Sequence, residues 1–254
     1  MSKHIAKKRF GQNFLEDQSV ISQVINIINP KPQDKIVEIG PGLGALTYPL
    51  LEKINHLDVI EIDQDIITYL KKNLSNKITI HNGDALKFDY SFNHQSIRIV
   101  GNLPYNISTP LLFHLAKFDN IIDMHFMLQK EVVDRICAKP NCGDYGRLSI
   151  MMQYKFNCLK MLDVSRECFR PAPKVESAII RIKPLDKDSQ YNVDEKKLGY
   201  IVTQAFSKRR KTIANSLKNI ISPEVFSKLG IDTQKRAENL TVCEYVALAN
   251  TYNT

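Results

Sequence analysis

The residues best suited to chemistry stand together at Val100-Gly101-Asn102-Leu103-Pro104-Tyr105. Asn102 brings a neutral amide whose oxygen accepts a hydrogen bond. Pro104 stiffens the turn so that the Leu103 carbonyl can face the same point, and Tyr105 adds a ring to stack on. Such a set suits a planar ring that carries an amine. Taken alone, the pattern Asn-x-Pro-Tyr also reads as an ordinary proline turn, because asparagine and proline are common turn residues. Its place directly after the apolar run Ile97 to Val100, read as a strand, makes the rest of the chain decisive.

Three further strand ends carry polar or glycine-rich tips. Lys35 to Ile39 runs into Gly40-Pro41-Gly42-Leu43-Gly44, after which Leu46, Leu50 and Leu51 continue a helical face. A strand, glycine turn and helix let a ligand approach backbone N–H groups. The spacing G-x-G-x-G lacks both the G-x-G-x-x-G of dinucleotide sites and the Gly-Lys-Ser/Thr of a P-loop, which disfavours NAD and ATP. Glu38 would repel a pyrophosphate and attract an ammonium group. Leu57 to Ile62 is a second strand with Glu61 near its end, where α/β nucleoside sites place an acid for the ribose hydroxyls. Lys77 to His81 leads to Gly83-Asp84-Ala85, and Asp84 is placed to accept from an exocyclic adenine amine. In a parallel sheet with helical crossovers, all four tips share one ligand-binding edge.

Around these tips the sequence predicts a basic arm, then a helix capped by Asp17 with Val20, Ile21, Val24, Ile25 and Ile28 at helical spacing. Thr109 to Ala116, Lys130 to Ala138 and Leu148 to Phe156 read as helices. Ile121 to Leu128, Leu159 to Val164 and Ser177 to Ile182 read as strands, the last close pair making one member antiparallel. Asn141 to Arg147 is expected to form a loop or lid beside the site. Phe169 heads a proline-stiffened loop; it is either core or a second wall of a base pocket opposite Tyr105. Pro184 to Val193 is charged and aperiodic, a linker, and four short helices follow: Glu195 to Phe206, Lys211 to Ile221, Pro223 to Leu229 and Thr241 to Thr251. The expected organisation is an α/β domain over residues 1–185, with an arm over 1–16, and an all-α domain over 186–254.

Composition narrows the partners. A hydrophobic content of 43% excludes wholesale disorder, and no apolar run approaches the roughly 20 residues that span a bilayer. With a polar N-terminal stretch, the chain is expected to be soluble and cytoplasmic. Five scattered cysteines without C-x-x-C spacing read as reduced thiols, with no metal site expected. The net charge of +8 is concentrated in Lys7, Lys8 and Arg9 and in the run Lys208-Arg209-Arg210-Lys211. Such runs are often solvated faces; two of them on a basic chain favour a polyanion such as nucleic acid.

Taken in order, Arg9-Phe-Gly-Gln-Asn-Phe-Leu15, Glu38-Ile-Gly-Pro-Gly-Leu-Gly44, Val59-Ile-Glu-Ile-Asp63, Gly83-Asp84-Ala85, Gly101-Asn-Leu-Pro-Tyr105, Tyr145-Gly-Arg-Leu-Ser149, Phe169-Arg-Pro-Ala-Pro-Lys-Val-Glu-Ser177 and Arg209-Arg-Lys-Thr212 resemble the KsgA family of rRNA adenine N6,N6-dimethyltransferases over nearly the whole chain. The resemblance implies a class I methyltransferase fold: a Rossmann-like, seven-stranded, mostly parallel sheet binding S-adenosylmethionine, with a small all-α C-terminal domain that binds RNA. It implies cofactor contacts from Asn13, Leu15, Gly40, Glu61, Asp84 and Asn102. The target base would be handled by Asn102, Leu103, Tyr105 and Phe169. RNA would be held by Lys7, Lys8, Arg9, Arg147, Lys208, Arg209, Arg210 and Lys211. The implied substrate is a pair of adjacent adenosines near the 3′ end of small-subunit rRNA within a 30S assembly intermediate, and the implied enzyme is a monomer. Three other readings stay open: a resistance-type large-subunit rRNA methyltransferase, a DNA adenine methyltransferase, and a non-catalytic assembly or transcription factor built on the same fold. A DNA enzyme would more usually carry proline in place of Leu103.

Overall fold

The structure is a computed structural model that describes residues 12–74, 76–91, 95–208 and 210–252. A two-residue strand, β1 (Phe14–Leu15), precedes helix α1 (Gln18–Ile28). The Asp17 carboxylate accepts the Val20 N–H at 2.9 Å, capping the helix as its position suggests. Ile21, Val24, Ile25 and Ile28 form the buried stripe, and Asn29 ends the helix in the left-handed conformation.

Alternating strands and helices follow: β2 (Ile36–Ile39), α2 (Thr47–Leu51), β3 (Leu57–Glu61), α3 (Gln64–Leu74), β4 (Ile78–Asn82), β5 (Ile97–Asn102), α4 (Ser108–Leu115), β6 (Ile121–Gln129) and α5 (Lys130–Cys137). Near-continuous Ile, Val and Leu runs make strands buried on both faces, as a parallel sheet with crossovers requires. After α6 (Arg147–Gln153) come β7 (Phe156–Val164), β8 (Phe169–Arg170) and β9 (Ser177–Pro184). The seven-stranded sheet has the order β4-β3-β2-β5-β6-β9-β7. The β4-β3, β3-β2, β2-β5 and β5-β6 pairs are parallel, and β9 runs antiparallel to β6. Strand order reverses between β2 and β5, so the crevice beyond their C-terminal ends is the topological switch point where such sheets bind ligands. At that seam a Cβ on Gly101 would lie 2.6 Å from the Ile39 carbonyl oxygen, so only glycine lets the two backbones approach.

The remaining helices are α7 (Glu195–Phe206), α8 (Ile213–Ser216), α9 (Pro223–Lys228) and α10 (Val242–Thr251). The helix expected over Lys211 to Ile221 is reduced to α8. The backbone entering it is diverted into pairing: Thr212 bridges Arg236, and the Ile213 N–H donates to the Lys235 carbonyl at 2.7 Å. The helix expected to reach Phe156 stops at Gln153, because Phe156 already begins β7.

Two compact units emerge. One runs to Val133 and resumes over Leu159–Lys183; the other takes Asp134–Cys158 and the chain from Pro184 onward. The later crossing lies beside the sequence boundary at 185/186. The earlier excursion has no linker-like composition and is not visible in the sequence. It places Asn141 to Arg147 in the second unit, where Arg147 is an exposed residue at the start of α6.

Candidate active site

Within the first unit, the four strand tips line one cavity of about 660 Å³, a size suited to a cofactor. Asn13, Leu15, Gly40, Glu61, Asp84 and Asn102 all line it, as do Leu103 and Tyr105. Each is held for a local reason. Gly42 and Gly44 have φ of 55° and 93°, and a Cβ on either would meet the Phe14 or Tyr48 ring, so the turn is closed by aromatic side chains packed where glycine has none. The floor is Glu38, 2% exposed, whose carboxylate accepts the Thr47 hydroxyl at 2.7 Å.

Glu61 ends β3 with Oε1 accepting the backbone N–H groups of Ile62 and Asp63, both at 2.8 Å. Burial pushes its pKa up, and those two amides oppose the rise. Asp84 turns the chain after β4, its Oδ1 accepting the Leu86 N–H at 2.9 Å. The Glu61 carboxylate also accepts a backbone N–H from Gly42 of the glycine turn, whereas Asp84 commits only Oδ1 to its turn. Asn102 ends the central strand, and its Nδ2 donates to the Asn13 carbonyl at 3.0 Å. That bond fixes which way the amide points, leaving Oδ1 as an acceptor. Tyr105 is anchored by its hydroxyl, 2.9 Å from Ser177 Oγ.

Phe169 corrects the expectation of a second pocket wall. It is 1% exposed, is absent from the cavity lining, and pairs through β8 with Leu15 of β1. There it joins the core beside Val164 and Ile179. The two-stranded β1–β8 sheet, invisible in such short segments, is what draws the ring inward. Several lining residues were missed from sequence. Ile62 and Leu86 supply apolar surface next to Glu61 and Asp84, and Gln12 ties the arm to the turn after β3 by donating to Asp63 Oδ2 at 3.0 Å. Their signal was adjacency to the acids, which charge-based reading passes over. Lys7, Lys8, Arg9 and Arg209 lie outside the described residues. Lys208, Arg210 and Lys211 are exposed in the second unit. Among the described residues no group of His, Cys, Asp and Glu could hold a metal ion, and no helix is long and apolar enough to cross a membrane.

Glu38 makes the cavity floor sensitive to pH. Burial first, opposed by the Thr47 bond, raises its pKa to about 7. The unfolded carboxyl titrates lower, so the folded state binds the extra proton. The associated stability is present below about pH 4.5 and is lost as pH rises through about 7, a span worth on the order of 3 kcal/mol. Denaturant midpoints of the cofactor-free protein should therefore fall from pH 5 to pH 7.5, and Glu38→Gln should flatten that part of the profile.

The same fold occurs in a dimethyladenosine transferase from Plasmodium falciparum, which matches with a TM-score of 0.81 at 26% identity over 92% of this chain and 95% of that one. The 23S rRNA methyltransferase ErmE matches with a TM-score of 0.75 at 23% identity, over 95% and 100% of the two chains. The α/β unit thus has the class I methyltransferase fold. Proteins called ribosomal RNA small subunit methyltransferase A from Nitrosospira multiformis and Methylobacillus flagellatus are 52% and 54% identical over 98% of this chain and 97% and 98% of theirs. The ribosomal RNA adenine dimethylase family matches residues 3–254, and the chain belongs to that family.

Proposed function

We propose that the cavity binds S-adenosylmethionine and that the chain dimethylates N6 of two adjacent adenosines near the 3′ end of small-subunit rRNA, on a 30S assembly intermediate in the cytoplasm. The observation that carries this reading is the Asn102 amide, clamped by the Asn13 carbonyl with its oxygen left to accept at the switch point. The cavity fits the cofactor on its own chemistry. A carboxylate has about four lone-pair sites, so Glu61 beside its backbone amides, and Asp84 beside one, keep acceptor capacity that matches ribose hydroxyls and an adenine amine, while Ile62 and Leu86 supply apolar surface for the purine. When bound, the cofactor supplies a methyl group on a sulfonium centre, open to attack by a nitrogen lone pair.

The amine of adenine is a poor nucleophile because its lone pair is delocalised into the ring. Asn102 Oδ1 and the Leu103 carbonyl, which accepts no backbone hydrogen bond among the described residues, would each take one N–H of that amine. Holding both hydrogens out of the ring plane localises the lone pair and aims it. No strong base is needed before attack, which suits an amide at position 102. Tyr105 would stack the base once it has left its RNA stack.

Ser177 then becomes a positioning residue for the Tyr105 ring. Ser177→Ala should lower kcat by about three- to tenfold with cofactor affinity unchanged, since one neutral hydrogen bond is lost. Tyr105→Phe should cost a similar amount, and the double variant no more than either single, because both remove one interaction. Additive losses in methyl-transfer assays would contradict the pairing.

For the RNA, we assign Lys208, Arg210 and Lys211, with Arg209, Arg147 and the basic arm, to phosphate contacts, and the protein acts as a monomer. Neutralising the three described lysine and arginine side chains of that run should reduce the salt slope of RNA binding by about 2 to 3, each lost contact removing roughly 0.7 to 0.9. An unchanged slope would make the run a solvated face.

A further inference from the structure

At the opposite end of the central strands the first unit carries a second, polar cavity of about 350 Å³. It is lined by a row of charged side chains crossing three strands. Arg98 of β5 stands opposite Asp123 of β6, and His125, on the same face as Asp123, stands opposite Arg181 of β9. Lys31 and Asp34 complete the wall. Asn102 lies four positions beyond Arg98, roughly 13 Å along the strand, so this cavity is distinct from the candidate active site.

Most of its charge is already matched. Arg98 donates to Asp123 at 2.9 and 3.0 Å, to Asp34 at 2.6 Å and to the Ile28 carbonyl at 2.7 Å. Asp34 also accepts the Lys31 backbone N–H, and the Lys31 ammonium donates to Asn29 Oδ1 at 2.7 Å. Two groups are left over. The His125 side chain is 2% exposed, yet neither ring nitrogen has a hydrogen-bond partner, its closest carboxylate oxygen being 3.7 Å away on Asp123. Arg181, half-buried, has no side-chain hydrogen bond or ion pair among the described residues. Burial, only partly offset by Asp123, lowers the His125 pKa to about 4, so the ring is neutral and keeps one N–H to donate. A buried donor without a partner is costly. Three cations face two carboxylates, so the cavity retains one positive charge.

We propose that this cavity is a phosphate-binding site in which the Arg181 guanidinium and the His125 N–H hold one phosphate oxyanion. A planar, fork-shaped cation beside a neutral donor presents several N–H groups to one oxyanion, and guanidinium groups match phosphate oxygens in bidentate geometry. The phosphate has two sources: free inorganic phosphate or a phosphodiester of the RNA backbone.

The test uses the full chain with labelled histidine. Inorganic phosphate is titrated while the His125 ring resonances are followed, and the same is done with a small-subunit rRNA fragment. Saturable His125 shifts are expected, and Arg181→Gln should weaken the phosphate response by about tenfold or more. If RNA is the source, Arg181→Gln also lowers the salt slope of RNA binding by about 0.7 to 0.9; if only free phosphate moves the resonance and the slope is unchanged, the source is the free anion. The unfolding midpoint of Arg181→Gln serves as the folding control. His125 resonances unmoved by both probes, or moved equally in wild type and Arg181→Gln, would overturn the proposal.

Discussion

Asn102→Ala is expected to lower the methyl-transfer rate by about 10²- to 10³-fold, the cost of losing one preorganised hydrogen-bonding partner at a reacting centre. The side chain has two jobs. Its Nδ2 holds the arm by donating to the Asn13 carbonyl, and in the proposed mechanism its oxygen would draw one N–H of the amine out of the ring plane. Alanine removes both, so cofactor affinity should fall modestly while the chemical step collapses. Asn102→Asp separates the two jobs: a carboxylate still accepts from the amine but repels the Asn13 carbonyl. Single-turnover rates together with calorimetric cofactor affinities read the two contributions separately. A turnover near wild type for Asn102→Ala would remove the amide from the mechanism.

The second large effect is on binding. Glu61→Ala should weaken S-adenosylmethionine binding by about 10- to 100-fold, since hydrogen bonds to a charged group contribute roughly 1.5–3 kcal/mol. The Ile62 and Asp63 amides fix one oxygen at 2.8 Å and so aim the carboxylate at little entropic cost on binding. Removing it also strips those amides of their partner at the turn into α3, so some loss of stability accompanies the lost affinity. Glu61→Gln keeps an acceptor for the turn and distinguishes the two effects: its unfolding midpoint should stay close to wild type while affinity still falls. Unchanged calorimetric affinity in both variants would mean that the ribose is held elsewhere.

The parts of the site that were legible in the sequence are those where a local rule and a topological rule agree. Gly40 to Gly44, Glu61, Asp84 and Asn102 each follow an apolar run, and parallel pairing with reversal between β2 and β5 places them at one crevice. An antiparallel member among the last two strands was legible because they lie too close in sequence for a helical crossover; that it is β9, paired against β6, was not. What escaped depended on long-range pairing. Phe169 reads as a loop aromatic until Leu15, more than 150 residues earlier, pairs with it and takes the ring into the core. The Lys211 to Ile221 helix fails because residues near Arg236 compete for its backbone. The excursion of Asp134–Cys158 into the second unit has no compositional mark, because its apolar residues look the same whichever core they enter. His125 and Arg181, unremarkable within apolar strands, acquire significance only from their cross-strand register.

The buried position of Phe169 also bears on the target pocket. Of the two aromatics only Tyr105 lines the cavity, so in the proposed mechanism the base would be stacked on one side, by a ring that Ser177 fixes. Phe169→Leu should accordingly act through the core and the β1–β8 pairing, lowering stability before it alters the chemistry.

Where the methyl groups go decides the assignment. The most direct measurement incubates the protein with methyl-labelled S-adenosylmethionine and under-methylated small ribosomal subunits, then maps the modified nucleotides by mass. Two adjacent N6,N6-dimethyladenosines near the 3′ end of the small-subunit rRNA are the predicted result. Label confined to large-subunit rRNA, or no transfer to either subunit by a protein that binds the cofactor, would contradict it.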